Sequence, residues 1–259
     1  MFIKRLIFLF LLMFSLSAKT NMLLAQNGTD SRIETAKQAV RNNPQDALAH
    51  NDLGMAYHLS GYYKEAIEAF KKSISLNPTF AEVHYNLGTS YYQEGLFEQA
   101  VPVLKKATIL KPTYTSAYKT LGASYDELRM YKEASQAYEE AIKLDPKDPV
   151  IFFRLGICYD VLSRYKDAVE LFKQATILKP DYSDAYYQLS VDYFYIDKYK
   201  EALEACNKAL ELKPDYVVEQ YQLVLIYVKL KDKEKVKQQY ELLQKLDKYL
   251  AAELKKHLK

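Results

Sequence analysis

The sequence predicts an all-α solenoid of stacked antiparallel helix pairs, and three observations lead to that fold class. Between successive prolines lie two apolar runs whose three- and four-residue steps are typical of one helix face. Glycine and alanine recur at fixed places in these runs, which allows close packing of two helices. Proline itself recurs every 34 residues, at Pro44, Pro78, Pro112, Pro146, Pro180 and Pro214.

The segment Pro149–Tyr182 shows the pattern most completely. Its first apolar run ends near Leu162–Arg164, and its second ends before Pro180, which cannot continue a helix. One helix–turn–helix unit cannot bury both faces alone, so neighbouring units must stack on it. The residues that define the two faces are Phe152, Leu155, Gly156 and Tyr159, then Tyr165, Ala168, Phe172 and Ala175.

The same residue types return in the other units. The leucines are Leu53, Leu87, Leu121, Leu155, Leu189 and Leu223; the tyrosines are Tyr57, Tyr91, Tyr125, Tyr159, Tyr193 and Tyr227. The glycines are Gly54, Gly88, Gly122 and Gly156, followed by Ser190 and Val224; the alanines are Ala66, Ala100, Ala134, Ala168 and Ala202, followed by Val236. This pattern resembles the tetratricopeptide repeat from Ala47 to Leu250. The resemblance implies a right-handed superhelix whose first helices line an inner wall that binds peptide segments.

The repeat divides residues 47–250 into six units, with atypical ends. Before them, residues 26–46 hold a polar linker and a helix over Ser31–Asn42, a half repeat that caps the first unit. After them, the helix that starts at Lys248 runs on through residues 251–259, either as a solvated cap or docked on this chain or a partner. The six units are 47–80, 81–114, 115–148, 149–182, 183–216 and 217–250.

Residues 1–25 read as a signal peptide. Lys4 and Arg5 precede the apolar run Leu6–Phe14, and small residues follow, with cleavage after Ala18 or Ala25. The alternative is an uncleaved anchor extended by 22–25. We therefore expect a periplasmic or secreted protein of the bacterial envelope, or one anchored in the inner membrane.

The charge balance argues against a nucleic-acid partner. The formal charge is +3, and the first 25 residues hold Lys4, Arg5 and Lys19 but no acid, so the mature chain has 3 − 3 = 0. A neutral surface with interleaved signs has no phosphate-binding field.

Three local predictions follow from single residues. Asp148 is expected to cap the helix that Pro149 opens. Pro102 lies more than a turn inside a second helix, so a kink or a shortened helix is expected there. Cys158 and Cys206 lie on helices of adjacent units; a disulfide is possible, but two free buried thiols are favoured because Cys206 takes a core position.

Residues for catalysis or metal binding are not apparent, so we expect neither an enzyme nor a cofactor. His50 and His84 share the position of Tyr118, Phe152 and Tyr186, which indicates a core or edge role. His50 and His58 are two turns apart, too far to share a metal without another ligand. The chain has no glycine-rich phosphate loop and no nucleophile motif.

The resemblance places a peptide-binding surface on the free faces of the first helices. In the last three units these faces are nearly continuously apolar, the type of patch that binds partners unless neighbouring repeats or the C-terminal helix cover it. The carboxylate clamp of chaperone co-factors is largely missing, since only Lys119 and Arg154 match it. The predicted binding residues are Tyr85, Tyr92, Lys119, Asp126, Phe153, Ile157, Asp160, Tyr187, Phe194 and Tyr221.

The sequence thus predicts an exported adaptor or scaffold for a protein or peptide partner, possible roles being envelope assembly or secretion. The alternative is a scaffold that associates with itself through the same apolar strip.

Overall fold

The computed structural model describes residues 31–214 and 217–257. All secondary structure in these ranges is helical, and no strand occurs in them. The predicted all-α class is therefore confirmed. The N-terminal segment with the predicted signal lies outside the described residues, and among the helices inside them none is long and apolar enough to cross a membrane.

The helices divide between two compact units, Met1–Pro112 and Thr113–Lys259. The first contains α1 (residues 31–42), α2 (Ala47–Leu59), α3 (Tyr63–Leu76), α4 (Ala81–Gln93) and α5 (Phe97–Leu110). The second contains α6 (Thr115–Glu127), α7 (Tyr131–Leu144), α8 (Pro149–Val161), α9 (Tyr165–Leu178), α10 (Ser183–Tyr195), α11 (Tyr199–Leu212), α12 (Val217–Lys229), α13 (Lys233–Leu246) and α14 (Lys248–His257). Within each unit from α2 onward, every helix packs against the next in sequence.

Small residues on the first helices bring the two helices of a pair together. A Cβ added to Gly156 would lie 2.6 Å from the ring of Phe172, and one added to Gly54 would lie 2.6 Å from Phe70. Both rings are fully buried. Because real Cβ atoms do not approach other atoms this closely, glycine is what allows a large side chain to fill the space between the helices.

The turn inside each pair uses one left-handed residue. Gly61 and Gly95 adopt positive φ in the first two pairs. The four later pairs place larger residues in the same conformation, namely Arg129, Ser163, Asp197 and Lys231. A side chain there costs about 1–2 kcal/mol of backbone strain, so the geometry is imposed by the packed helices rather than by the turn sequence.

Two local predictions have clear outcomes. The Asp148 carboxylate accepts a hydrogen bond from the Val150 amide and Pro149 opens α8, which confirms the predicted cap. Of the two outcomes predicted at Pro102, the shortened helix is wrong, because α5 has 14 residues like every other second helix; the kink stays a prediction. Proline removes one backbone hydrogen bond, and the packing of α5 on α4 retains the remaining ones.

Both ends are covered by extra helices. Ile33 and Ala36 of α1 are buried, whereas Ala39 is exposed. At the other end Ala251 and Leu254 of α14 are buried against Val224 and Leu243. The C-terminal helix therefore docks on its own chain, one of the two outcomes expected for it; Leu258 lies outside the described residues.

Candidate binding surface

The ten predicted binding residues are all half-buried. Tyr85 and Tyr92 lie on α4 of the first unit, and the other eight lie on four first helices of the second unit. By helix these are Lys119 and Asp126 on α6; Phe153, Ile157 and Asp160 on α8; Tyr187 and Phe194 on α10; and Tyr221 on α12. Each of them keeps part of its side chain accessible to solvent.

Five apolar side chains on α8 and α10 form what we call the first-helix surface: Phe153, Ile157, Tyr187, Val191 and Phe194. On each helix they follow steps of three or four residues, so they share one face. The helices α8 and α10 are in direct contact, which makes the two faces neighbours. The chain thus has a half-buried apolar surface that extends over its fourth and fifth helix pairs.

Side chains of the first-helix surface pack on one side against core residues. The ring of Phe153 lies 4.9 Å from Tyr182 and 5.7 Å from Phe172, and Ile157 packs on the same cluster. Phe194 has its ring 5.5 Å from Tyr199, with the Lys229 ammonium 5.8 Å from the ring centroid. Rigid aromatic groups with one accessible side suit partner binding because little side-chain entropy is lost.

The predicted apolar strip is interrupted at α12. Tyr221 and Leu225 pack against the buried cluster that α12 forms with α13 and α14, together with Val228. The C-terminal helix thus partly covers this part of the strip. We therefore leave Tyr221 and Leu225 out of the first-helix surface.

Lys119 and Asp126 are engaged within the chain. The Lys119 ammonium forms an ion pair with Asp148, the residue that caps α8. Asp126 lies 3.5 Å from the Arg154 guanidinium, and burial raises the pKa of its carboxyl group. Both pairs connect adjacent helix pairs, which gives these residues a structural role in addition to any contact with a partner.

Asp192 is the unexpected residue of this region. It is completely buried on α10, and neither of its carboxylate oxygens accepts a hydrogen bond from a donor in the described part of the chain. It lies within hydrogen-bonding reach of Asp160 on α8. Burial, reinforced by Asp160, raises the pKa of Asp192 to about 9, so Asp192 keeps its proton at neutral pH.

Tyr187 lies among these acids. Burial raises the pKa of its hydroxyl to about 12, and the charges of Glu219 and Asp160 act in the same direction. Glu219 is itself 1 % exposed, with one unpartnered carboxylate oxygen. The first-helix surface therefore combines aromatic groups with buried acids around Tyr187.

The remaining candidate residues have structural roles. The imidazoles of His50 and His84 are buried and bond to the carbonyls of Pro44 and Pro78, which confirms the predicted core or edge role. Cys158 and Cys206 are free and buried, as expected, and burial raises the pKa of both thiols to about 12. Within residues 31–214 and 217–257 no group of three or more His, Cys, Asp or Glu could hold a metal ion.

Comparison with protein families gives three matches. The description "TPR repeat" matches residues 56–95, and "Tetratricopeptide repeat" matches residues 183–216. The C-terminal ARM domain of tetratricopeptide repeat protein 21 matches residues 80–185. The chain contains tetratricopeptide repeats. Such repeats are typically non-catalytic scaffolds for protein–protein interaction. A search of curated proteins found no significant match.

Solved structures share this tetratricopeptide fold. YrrB, described as a protein with an unusual peptide-binding site, is 23% identical, with a TM-score of 0.68 over 72% of this chain and 96% of YrrB. MamA is 28% identical, with a TM-score of 0.60 over 62% of this chain and 95% of MamA. PilF of Pseudomonas aeruginosa is 18% identical, with a TM-score of 0.64 over 82% of this chain and 97% of PilF.

Our sequence reasoning missed Asp192. The sequence does contain an indication of this residue. When the six repeats are compared position by position, an acid occurs at the Asp192 position only in the fifth repeat. The corresponding residues are Ala56, Ser90, Ser124, Cys158 and Ile226. A charged residue among small and apolar ones at a core position is a stronger functional indication than the tyrosines that the repeat itself requires.

Proposed function

We propose that this chain is an exported adaptor that binds an apolar peptide segment of a partner protein on the first-helix surface. The observation that carries the proposal is the pair of adjacent helices with five half-buried apolar side chains on one side. Corresponding positions of the first repeat hold the more polar Asn51 and His58. Partner-binding sites favour aromatic anchors that are held rigidly and stay partly accessible.

Export is supported by the N-terminal pattern of basic residues, a short apolar run and small residues. The envelope of a bacterium is the compartment that this pattern fits, and envelope assembly or secretion is the process that we propose. Recovery of the mature chain with a new N-terminus after Ala18 or Ala25 would support export, and an intact Met1 in the membrane fraction would indicate an anchored form.

The test of the binding surface uses substitutions borrowed from other repeats, so that each new residue already fits its position. Ile157→Ala takes the residue of Ala123, Tyr187→Asn that of Asn51, and Val191→Thr that of Thr89. We expect the triple variant to fold and to lose partner affinity by about tenfold or more, because the aromatic and aliphatic anchors are gone.

The matched control is Ile177→Ala, since Ile177 is 66% exposed on α9 and lies outside the first-helix surface. Partners crosslinked to the tagged full chain in envelope fractions should be kept by this control and lost by the triple variant. If the triple variant recovers the same partners in the same amounts, the surface is not the binding site.

Self-association is a second candidate, favoured by apolar side chains at the C-terminal end of the second unit. Leu246 is 42% exposed and Tyr249 is 78% exposed. Light scattering over a dilution series separates the two functions: a monomer at every concentration excludes the self-associating scaffold, and a concentration-dependent dimer that Tyr249→Ser abolishes supports it.

A further inference from the structure

The acid pair Asp160–Asp192 has no counterpart at the same positions of the first unit. There, His58 bonds to the Ser90 hydroxyl at 2.8 Å, a neutral contact between the first helices of neighbouring repeats. In the fourth and fifth repeats both residues are carboxylic acids. Two carboxylates in contact require either a proton or a cation between or beside them.

No cation of the described chain neutralises this pair. Arg154 is engaged with Asp126, Lys119 with Asp148, and Lys213 with Asp184 at 2.6 Å. Among the described residues, Asp160 is the one charged side chain that acts on Asp192. Asp160 is half-buried and accessible, whereas Asp192 lies completely buried behind it. The negative charge of the pair is therefore accessible at Asp160, next to the buried and weakly polar surroundings of Asp192.

The surroundings specify what kind of cation fits. Tyr187 lies close enough to Asp160 for that charge to affect its hydroxyl, and Ile157 is one turn before Asp160 on α8. An aromatic ring and an aliphatic side chain beside an acid suit the long aliphatic stem and charged end of lysine or arginine. With the proton on Asp192 the pair carries a single negative charge, which matches one monovalent cation.

We propose that Asp160 and Asp192 form a subsite of the first-helix surface that binds a lysine or arginine side chain of the partner peptide. This inference rests on the proposed function and adds a chemical requirement to it: the peptide is apolar with one basic residue. The cation contacts Asp160 directly, and Asp192 behind it supplies a hydrogen bond to Asp160.

Binding should also be linked to a proton. A cation at Asp160 favours ionisation of Asp192, so peptide binding releases part of a proton at mildly alkaline pH. The other titratable groups that act on Tyr187 are Glu219, Cys206 and Tyr195, and Cys158, two residues before Asp160, has Asp126 and Arg154 near it. Burial raises the pKa of Tyr187 and of both thiols to about 12, so these three keep their protons.

The first experiment selects peptides from a phage-displayed random library on the full mature chain. We expect retained peptides to share apolar residues around one lysine or arginine. Synthetic copies with citrulline for arginine, or norleucine for lysine, should bind the wild type about tenfold more weakly, and binding to the Asp160→Asn/Asp192→Asn variant should not distinguish the charged and neutral copies.

A second variant separates the roles of the two acids. Asp192→Asn keeps the shape and still donates a hydrogen bond to Asp160, so it should bind the basic peptide. Calorimetry in two buffers of different ionisation enthalpy should show proton release with the wild type and none with Asp192→Asn. Equal proton release by both would overturn the assigned role of Asp192.

The outcomes distinguish this inference from the proposed function. Peptides that need the first-helix surface but show no preferred basic residue would overturn the inference and leave the proposed function standing. A selection that yields no peptide at all would overturn both. Calcium or magnesium retained by the wild type and lost by the double variant would also contradict the inference, because the subsite would then hold a metal ion.

Discussion

The fourth and fifth repeats have the same backbone plan but different interiors. In the fourth, Gly156 lies under the buried ring of Phe172. In the fifth, Ser190 and Cys206 occupy these two positions and Asp192 replaces Cys158, all of them completely buried. The Ser190 hydroxyl lies beside the Cys206 thiol, and within the described residues no donor reaches the carboxylate oxygens of Asp192. The fifth repeat thus has a more polar interior, although buried unpartnered polar groups cost stability.

The more polar interior of the fifth repeat indicates where a repeat scaffold can carry functional residues. Each helix pair is stabilised by its neighbours, so one pair tolerates unfavourable groups that a small single-core domain could not. Two of the unfavourable groups, Ser190 and Asp192, lie on α10, which carries part of the first-helix surface. Residues that reduce stability at a candidate site are typical of functional positions.

The largest expected effect comes from filling the space under Phe172. Gly156→Val should reduce the free energy of unfolding by about 2–3 kcal/mol, because the added side chain overlaps the ring. Valine occurs naturally at this position in the sixth repeat as Val224. Urea unfolding followed by circular dichroism measures the change.

The matched control in the fifth repeat is Ser190→Gly. It restores the consensus glycine opposite the small Cys206, and it should change the free energy of unfolding by less than about 1 kcal/mol. Similar losses for the two variants would show that the repeats do not differ in packing as described.

A smaller effect is expected for the pH dependence of stability. The folded pKa of Asp192, about 9, lies above the ordinary value of an unfolded aspartate, about 3.9. The folded chain therefore binds more protons between these limits, and the contribution of Asp192 to stability is lost as pH rises through 9. Asp192→Asn cannot titrate. Its free energy of unfolding should fall less between pH 5 and 9 than that of the wild type, by at least about 1 kcal/mol.

Because Glu219 also titrates with a raised pKa, the comparison of wild type with Asp192→Asn isolates the contribution of Asp192. Parallel pH profiles for the two proteins would contradict the proton on Asp192, and the acid pair would then be fully ionised in the folded state.

The fold was predictable because the sequence has a 34-residue period. The same residue types return at the same positions of each repeat, so many residues indicate the same helix pair. Helix existence, the Asp148 cap and the free thiols followed from periodicity and capping rules. The prediction of a shorter helix at Pro102 was wrong because packing along α5 outweighs the local cost of proline. The docking of α14 on Tyr221 depends on contacts between distant residues, which periodicity does not specify.

The site was less predictable for a physical reason. A repeat pattern identifies the positions where one helix packs on another. It contains no information about the solvent-exposed faces of the first helices, where the residue types vary from repeat to repeat. The tyrosines and phenylalanines of those faces were identified, but Asp192 occupies a packing position and was overlooked. The role proposed for Asp192 can be inferred only from three observations together: its side chain is buried, its carboxylate has no donor within the described residues, and Asp160 lies close to it.

The most direct test of the central claim is site-specific photocrosslinking in the cell that produces the protein. A photoreactive phenylalanine analogue is introduced at position 157 or 187 in the first-helix surface, and at position 177 as the exposed control. We predict that positions 157 and 187 crosslink to an apolar peptide segment of a partner, identified by mass spectrometry, and that position 177 does not. Equal labelling from all three positions, or labelling from 177 alone, would contradict the assignment of the first-helix surface as the binding site.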